Sequence, residues 1–126
     1  MANNRLKILI VDDDFTSRRL IGRFIQSNWT CSIIDAQDGS QALGLMLKEA
    51  PDLVILDMMM PFMDGLQVLK TMRSNSRLAH IPVIACTAVD DKSTVVDIIK
   101  LGIDDYVIKP VDKKNLIKKI SQLLKK

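Results

Sequence analysis

Short apolar runs alternate with amphipathic stretches along the whole chain. Five runs are only three or four residues long and continuous but for Asp35: Ile8–Val11, Ile33–Ala36, Leu53–Leu56, Val83–Cys86 and Tyr106–Ile108. An unbroken, β-branched run of that length fits a strand buried on both faces, whereas a half-solvated strand would alternate. Between the runs, apolar residues recur at helical spacing. Leu20, Ile21, Phe24 and Ile25 mark a first helix, and Ala42, Leu43, Met46, Leu47 and Ala50 a second. Leu66, Leu69 and Met72 mark a third, and Val95, Val96, Ile98 and Ile99 a fourth. Leu116, Ile117, Ile120, Leu123 and Leu124 mark the last. Asp38-Gly39-Ser40 and Asp64-Gly65 supply helix starts, and Gly102 supplies a stop.

Strand and helix therefore alternate five times in 126 residues. Right-handed crossovers between such units build a parallel sheet with helices on both faces. The predicted fold is α/β: a flavodoxin-like (βα)5, doubly wound, with five parallel strands in the order 2-1-3-4-5. Ligands of such sheets sit at the carboxyl ends of the strands, near the switch between strands 1 and 3. No stretch reads as a linker, a repeat or a low-complexity tract, so residues 1–126 read as one domain.

Composition narrows the class. Apolar residues make up 48% and charged residues 26%, as in an ordinary globular domain, which excludes a disordered tail or a disulfide-stapled miniprotein. No apolar stretch is long enough for a membrane span, and the first ten residues lack a signal-peptide core. Cys31 and Cys86 both lie in strand-like runs, where free buried thiols fit a reducing, cytoplasmic compartment. Charge is uneven: residues 1–63 carry 6 basic and 8 acidic groups, and residues 64–126 carry 12 and 7. Lys113, Lys114, Lys118, Lys119, Lys125 and Lys126 concentrate the excess at the C-terminus. No aromatic residue interleaves with them, so base stacking finds no platform, and they read as the solvated face of a helix. Direct nucleic-acid binding and membrane insertion are not expected.

The chemistry gathers at the predicted strand ends. The first strand runs into Asp12-Asp13-Asp14 and the third into Asp57. Adjacent strands would bring three or four carboxylates into one crevice, where like charges raise one another's pKa unless a cation intervenes. An all-oxygen donor set suits a hard divalent ion such as Mg²⁺, with Mn²⁺ as a substitute. Without a His cluster or a close Cys pair, zinc is not indicated. Asp14 fits the N-cap of the first helix, which leaves Asp12 and Asp13 for other work. The fourth strand ends at Thr87 and the fifth at Lys109-Pro110, adding a hydroxyl and an ammonium. Carboxylates, a metal, a hydroxyl and a cation together make a site for a phosphoryl group.

The segments ILIVDDD (8–14), LVILDMMMPFMDG (53–65), IACTA (84–88) and DDYVIKP (104–110) resemble the CheY-like receiver domains of two-component response regulators. The resemblance covers essentially the whole chain. It implies Asp57 as phosphoacceptor, a nucleophile toward phosphohistidine, with Asp13 as direct metal ligand and Asp12 as its partner, often through water. The main-chain carbonyl of Met59 would complete the metal contacts. Thr87 would follow the phosphoryl group, Lys109 would pair with it, and Tyr106 would be the switch aromatic. It also implies a cis Lys109-Pro110 bond. Pro61 and Gly65 fit the loop after Asp57, where turn chemistry is expected.

The implied partners are a histidine kinase or histidine phosphotransfer protein, and a downstream protein meeting the face of helix 4, strand 5 and helix 5. The domain would assist its own phosphorylation and dephosphorylation without being an enzyme in the usual sense. Because the sequence ends one helix after Lys109-Pro110, with no output domain, output by contact is expected. Two departures stand out: Met59 and Val89, two residues beyond Asp57 and Thr87, are apolar. Neither can orient an attacking water, so a long-lived phosphoprotein is expected. Two alternatives share much of this pattern. A haloacid-dehalogenase-like phosphatase would also use an aspartyl phosphate, but it typically needs an Asp where Met59 stands. A phosphorylation-independent pseudo-receiver would act as a binding module, without need of the full set Asp12, Asp13, Asp57, Thr87 and Lys109.

Overall fold

The computed structural model describes residues 6–88 and 92–124; Val89, Lys125 and Lys126 lie outside the described residues. The elements run β1 (Leu6–Val11), α1 (Phe15–Gln26), β2 (Cys31–Ala36), α2 (Gly39–Glu49), β3 (Leu53–Asp57), α3 (Gly65–Ser74), β4 (Val83–Thr87), α4 (Lys92–Leu101), β5 (Asp105–Ile108) and α5 (Lys113–Leu124). All pairings are parallel, and the strand order is β2-β1-β3-β4-β5, as the alternation predicts. The sheet separates two apolar cores. Ile8, Ile10, Ile55, Ile84 and Val107 face Ile21 and Ile25 of α1 and Leu116 and Ile120 of α5. On the other side, Leu9, Val11, Val54, Leu56 and Ala85 meet Met46 of α2, Leu69 and Met72 of α3, and Ile98 of α4. No helix among the described residues is long and apolar enough to cross a membrane.

The central strands β3 and β4 are buried throughout, as their unbroken apolar runs require. The edge strands differ. Asp35 of β2 is exposed and Ile108 of β5 is 41% exposed, because an edge strand has a neighbour on one side only. The helical stripes are also narrower than the periodicity predicts. Leu20, Leu47, Val96 and Ile99 face solvent, so Ile98 is the deepest apolar anchor of α4 among its described residues. Exposed single apolar residues of this kind are ordinary on a protein surface.

Aspartates open four of the helices, Asp112 among them, whose carboxylate accepts the N–H of Asn115 at the start of α5. Asp14 accepts the N–H of Thr16, Asp38 that of Gln41, and Asp64 that of Gln67, whose side chain accepts the Asp64 N–H in return. Gly102 ends α4 with φ near 91°, a conformation open to glycine at no steric cost. One buttress was not legible in the pattern. Arg73 of α3 donates to the carbonyls of Gly102, Ala79 and Ile81 at 2.9–3.1 Å, and pairs with Asp104 at 3.3 Å. That fork ties the end of α3 to the segments entering β4 and β5. Arg73→Ala is expected to cost about 1–3 kcal/mol in urea unfolding, and Arg73→Lys to recover only part, since an ammonium lacks the planar fork.

Candidate functional site

The parallel register carries the ends of β1, β3 and β4 to one edge of the sheet. Val11 lies opposite Leu56, and Asp57 opposite Cys86. Asp12 and Asp57 therefore emerge side by side, and both are buried, at 1% and 2% exposure. Carboxylate oxygens of Asp12, Asp13 and Asp57 lie within 4.8 Å of one another, with Asp13 on the open side. Asp14 is turned away as the cap of α1, as its position predicts.

Lys109 holds this cluster together. Its Nζ lies 3.2 Å from Asp12 Oδ2 and 3.2 Å from Asp57 Oδ2. A backbone hydrogen bond fixes the lysine from below, its N–H donating to the Thr87 carbonyl at 2.8 Å. The Lys109–Pro110 bond is cis. Asp57 Oδ1 accepts the Met59 N–H at 3.1 Å, while the Met59 side chain is 61% exposed. Burial pushes the Asp57 carboxyl up to about 6, against the pull of the Met59 N–H and Lys109, and Asp12 adds to the rise. Burial also works against the Lys109 ammonium, yet Asp57 and Asp12 together hold its pKa above the usual value. Cys86, just below, is pushed up to about 12 by burial and is an inert thiol.

Thr87 is the anomaly of the site. It is fully buried at the end of β4, and its Oγ1 has no hydrogen-bond partner. Among the described residues it is the one buried side-chain oxygen or nitrogen left so. An orphaned hydroxyl there is costly unless a ligand takes it up. Tyr106 stands two residues down β5 from the Thr87 level, paired in register with Ala85, and its half-buried ring packs on the α2–α4 side of the sheet.

Several contributors escaped the sequence pattern. Ser17 Oγ donates to Asp12 Oδ2 at 2.7 Å, and Asp12 Oδ1 accepts the Asp14 N–H at 2.9 Å. Arg18, 8% exposed, donates through Nη1 to the Asp12 carbonyl at 2.6 Å. Lys119 departs from the solvated face assigned to the C-terminal lysines. It donates to Asp105 and to the Tyr106 carbonyl, with Nζ 5.0 Å from the centroid of the Tyr106 ring. Gly65 opens α3 as a helical residue, so turn geometry does not explain it. A Cβ there would lie 2.6 Å from the Asp57 carbonyl oxygen and 2.7 Å from Met58 Cα. Close approach, rather than turn chemistry, demands the glycine.

The donor set fits a hard divalent cation. Three carboxylates supply oxygen ligands from one side, and Lys109 and Thr87 close the other, where anionic oxygens would sit. The comparisons with known proteins agree in outline. A family model described as the response regulator receiver domain matches residues 8–121. The "Probable transcriptional regulator ycf27" of Cyanophora paradoxa is 39% identical over 126 residues, covering 100% of this chain and 51% of the relative. The protein of the same name from Porphyridium aerugineum is 38% identical over 120 residues, covering 95% and 48%. The chain thus spans about half the length of these relatives. The chemotaxis protein CheY4 of Vibrio cholerae matches with a TM-score of 0.87 and 26% identity, over 95% of this chain and 99% of that one. The receiver domain of a signal transduction histidine kinase from Syntrophus aciditrophicus matches with a TM-score of 0.85 and 30% identity, over 94% and 89%. The matched segment runs from the first buried residue of β1 into α5 and contains every side chain of the acidic cluster, and the chain belongs to the response regulator receiver domain family.

Proposed function

We propose that Asp57 accepts a phosphoryl group from the phosphohistidine of a histidine kinase or a histidine phosphotransfer protein. The observation that carries this reading is Lys109 Nζ, 3.2 Å from both Asp12 and Asp57, beside the unpartnered buried hydroxyl of Thr87. A carboxylate with its pKa near 6 is largely ionised at pH 7 and can attack phosphorus. The new bond joins an Asp57 oxygen to phosphorus, and the donor's nitrogen–phosphorus bond breaks. The imidazole leaves with the electron pair and takes a proton from solvent. Met59 N–H holds Oδ1 of the carboxylate, which fixes the orientation of the nucleophile. Lys109 offsets charge on the transferred oxygens, and Thr87 donates its hydroxyl hydrogen to one of them. Asp13, Asp12, Asp57 and the Met59 carbonyl would hold Mg²⁺, which when bound offsets charge on the phosphoryl oxygens.

Output follows from the same hydroxyl. Once Thr87 turns to the phosphoryl group, the space beside it opens to the Tyr106 ring, two residues down the adjacent strand. This biases the α4–β5–α5 face toward a second state, which a downstream protein reads. The phosphatase alternative is disfavoured by the thioether of Met59, which has no proton to give.

A beryllofluoride adduct tests this reading, because it mimics a phosphoryl group on a carboxylate. With Mg²⁺, the adduct is expected to shift amide resonances beside Asp57 and also along β4 and β5. Asp57→Asn should abolish every shift, and Thr87→Ala should keep the local shifts and lose the remote ones. Asp13→Ala is expected to raise the Mg²⁺ concentration needed for the adduct by roughly tenfold or more, a loss of about 1.4 kcal/mol in metal binding. An adduct that forms equally well without Mg²⁺ contradicts the metal assignment.

A further inference from the structure

Away from the acidic cluster, α1 and the edge strand β2 enclose a groove of about 240 Å³. Arg18, Arg19 and Arg23 line it from the helix, with Ile33 and Asp35 from the strand and Gly22 between them. We propose that this groove binds a small oligophosphate anion, and that Arg18 carries its occupancy to Asp12.

Three observations support it. First, the groove holds more positive charge than its surroundings neutralise. Helix α1, FTSRRLIGRFIQ, contains no acidic residue, and the one carboxylate of the lining, Asp35, is engaged by Arg18 Nε at 3.3 Å. Among the described residues neither Arg19 nor Arg23 has a carboxylate in ion-pair range, although they sit four apart, where like charges oppose each other on a helix. Arg19 is steadied instead by the exposed ring of Phe15, 5.6 Å from its guanidinium carbon. Planar guanidinium forks match phosphate oxygens bidentately, and two unneutralised forks match two phosphate groups.

Second, packing does not require Gly22. A Cβ at this mid-helix position would meet Ile10 Cδ1 and Ile33 Cγ2 at 3.8 Å, an ordinary contact. Glycine there lowers helix stability relative to alanine, and what it leaves is an open floor beside Ile33. Third, Arg18 spans the distance to the acidic cluster. It is 8% exposed, and its guanidinium reaches Asp35 with Nε and the Asp12 carbonyl with Nη1. A phosphate that competes with Asp35 for this guanidinium shifts the same group that holds Asp12. At about 240 Å³ the groove matches a small anion in size as well as in charge.

The test is an amide NMR titration of the full chain with inorganic pyrophosphate, without divalent metal. Saturable shifts are expected at Arg19–Gln26 and Ile33–Asp35, together with the backbone of Asp12 and Asp13. Arg19→Gln combined with Arg23→Gln changes exposed side chains only. It should weaken binding at least tenfold with the thermal midpoint retained. Gly22→Ala should raise the thermal midpoint and yet weaken binding, a split that a purely structural role for the glycine would not produce. Adenosine diphosphate as a second probe identifies the source: tighter binding than pyrophosphate points to a nucleotide, and equal binding to a free phosphate chain. Shifts that do not saturate, that map to Lys109 and Asp57 alone, or that persist in the double arginine variant overturn the proposal.

Discussion

Replacing Asp57 with asparagine is expected to stabilise the metal-free protein at pH 7 while abolishing its proposed activity. The buried carboxyl has its pKa raised from 3.8 to about 6, with burial as the main cause. A folded-state pKa above the unfolded value means that the native state binds the proton more tightly. The stability Asp57 contributes is therefore fully present below about pH 4 and is lost as pH rises through about 6. At pH 7 the ionised group costs up to about 3 kcal/mol relative to its neutral form. Asparagine carries no charge and avoids much of that cost, which is already net of the pull of Lys109. The net gain should be about 1–2 kcal/mol, or roughly 3–8 °C in thermal midpoint. The difference between wild type and Asp57→Asn should shrink toward zero as pH falls to 4. A wild type as stable as the variant at pH 7 without metal would show that burial of this charge is already compensated.

Gly65→Ala is the second large effect. The new methyl would lie 2.6 Å from the Asp57 carbonyl oxygen and 2.7 Å from Met58 Cα, both backbone atoms that cannot rotate away. Either α3 moves or the segment carrying Asp57 does. Overpacking of this kind typically costs about 1–3 kcal/mol, which urea unfolding measures. Because the displaced segment also carries the proposed nucleophile and the Met59 N–H, the variant's rate of phosphorylation should fall by far more than its fraction unfolded explains. Gly44→Ala is the natural control, since nothing lies within 4 Å of its added methyl.

The fold was legible because the central strands are buried on both faces, which forces the continuous apolar runs of β1, β3 and β4. The convergence of the candidate site residues was legible for a related reason. Asp57, Thr87 and Lys109 interrupt apolar runs at the strand ends, where a core has no use for them. Arg18, Ser17 and Lys119 left no such trace. Each sits on a helix among polar neighbours, and only the distances between elements show that Arg18 reaches the Asp12 carbonyl or that Lys119 holds β5. Val96 and Ile99 failed in the opposite sense: apolar at helical spacing, they face solvent on the side of α4 away from the sheet. Periodicity reports that a helix has an apolar stripe; it does not report how wide a stripe the neighbouring elements cover. The reason for Gly65 was likewise invisible, because a close backbone approach and a turn ask for the same residue.

The central claim is that Asp57 is a phosphoryl acceptor, and intact-mass measurement after incubation with acetyl phosphate and Mg²⁺ tests it most directly. The account predicts addition of a single phosphoryl group to the wild type, dependence on Mg²⁺, and no addition to Asp57→Asn. A wild type that stays unmodified, or an adduct that survives Asp57→Asn, would contradict it.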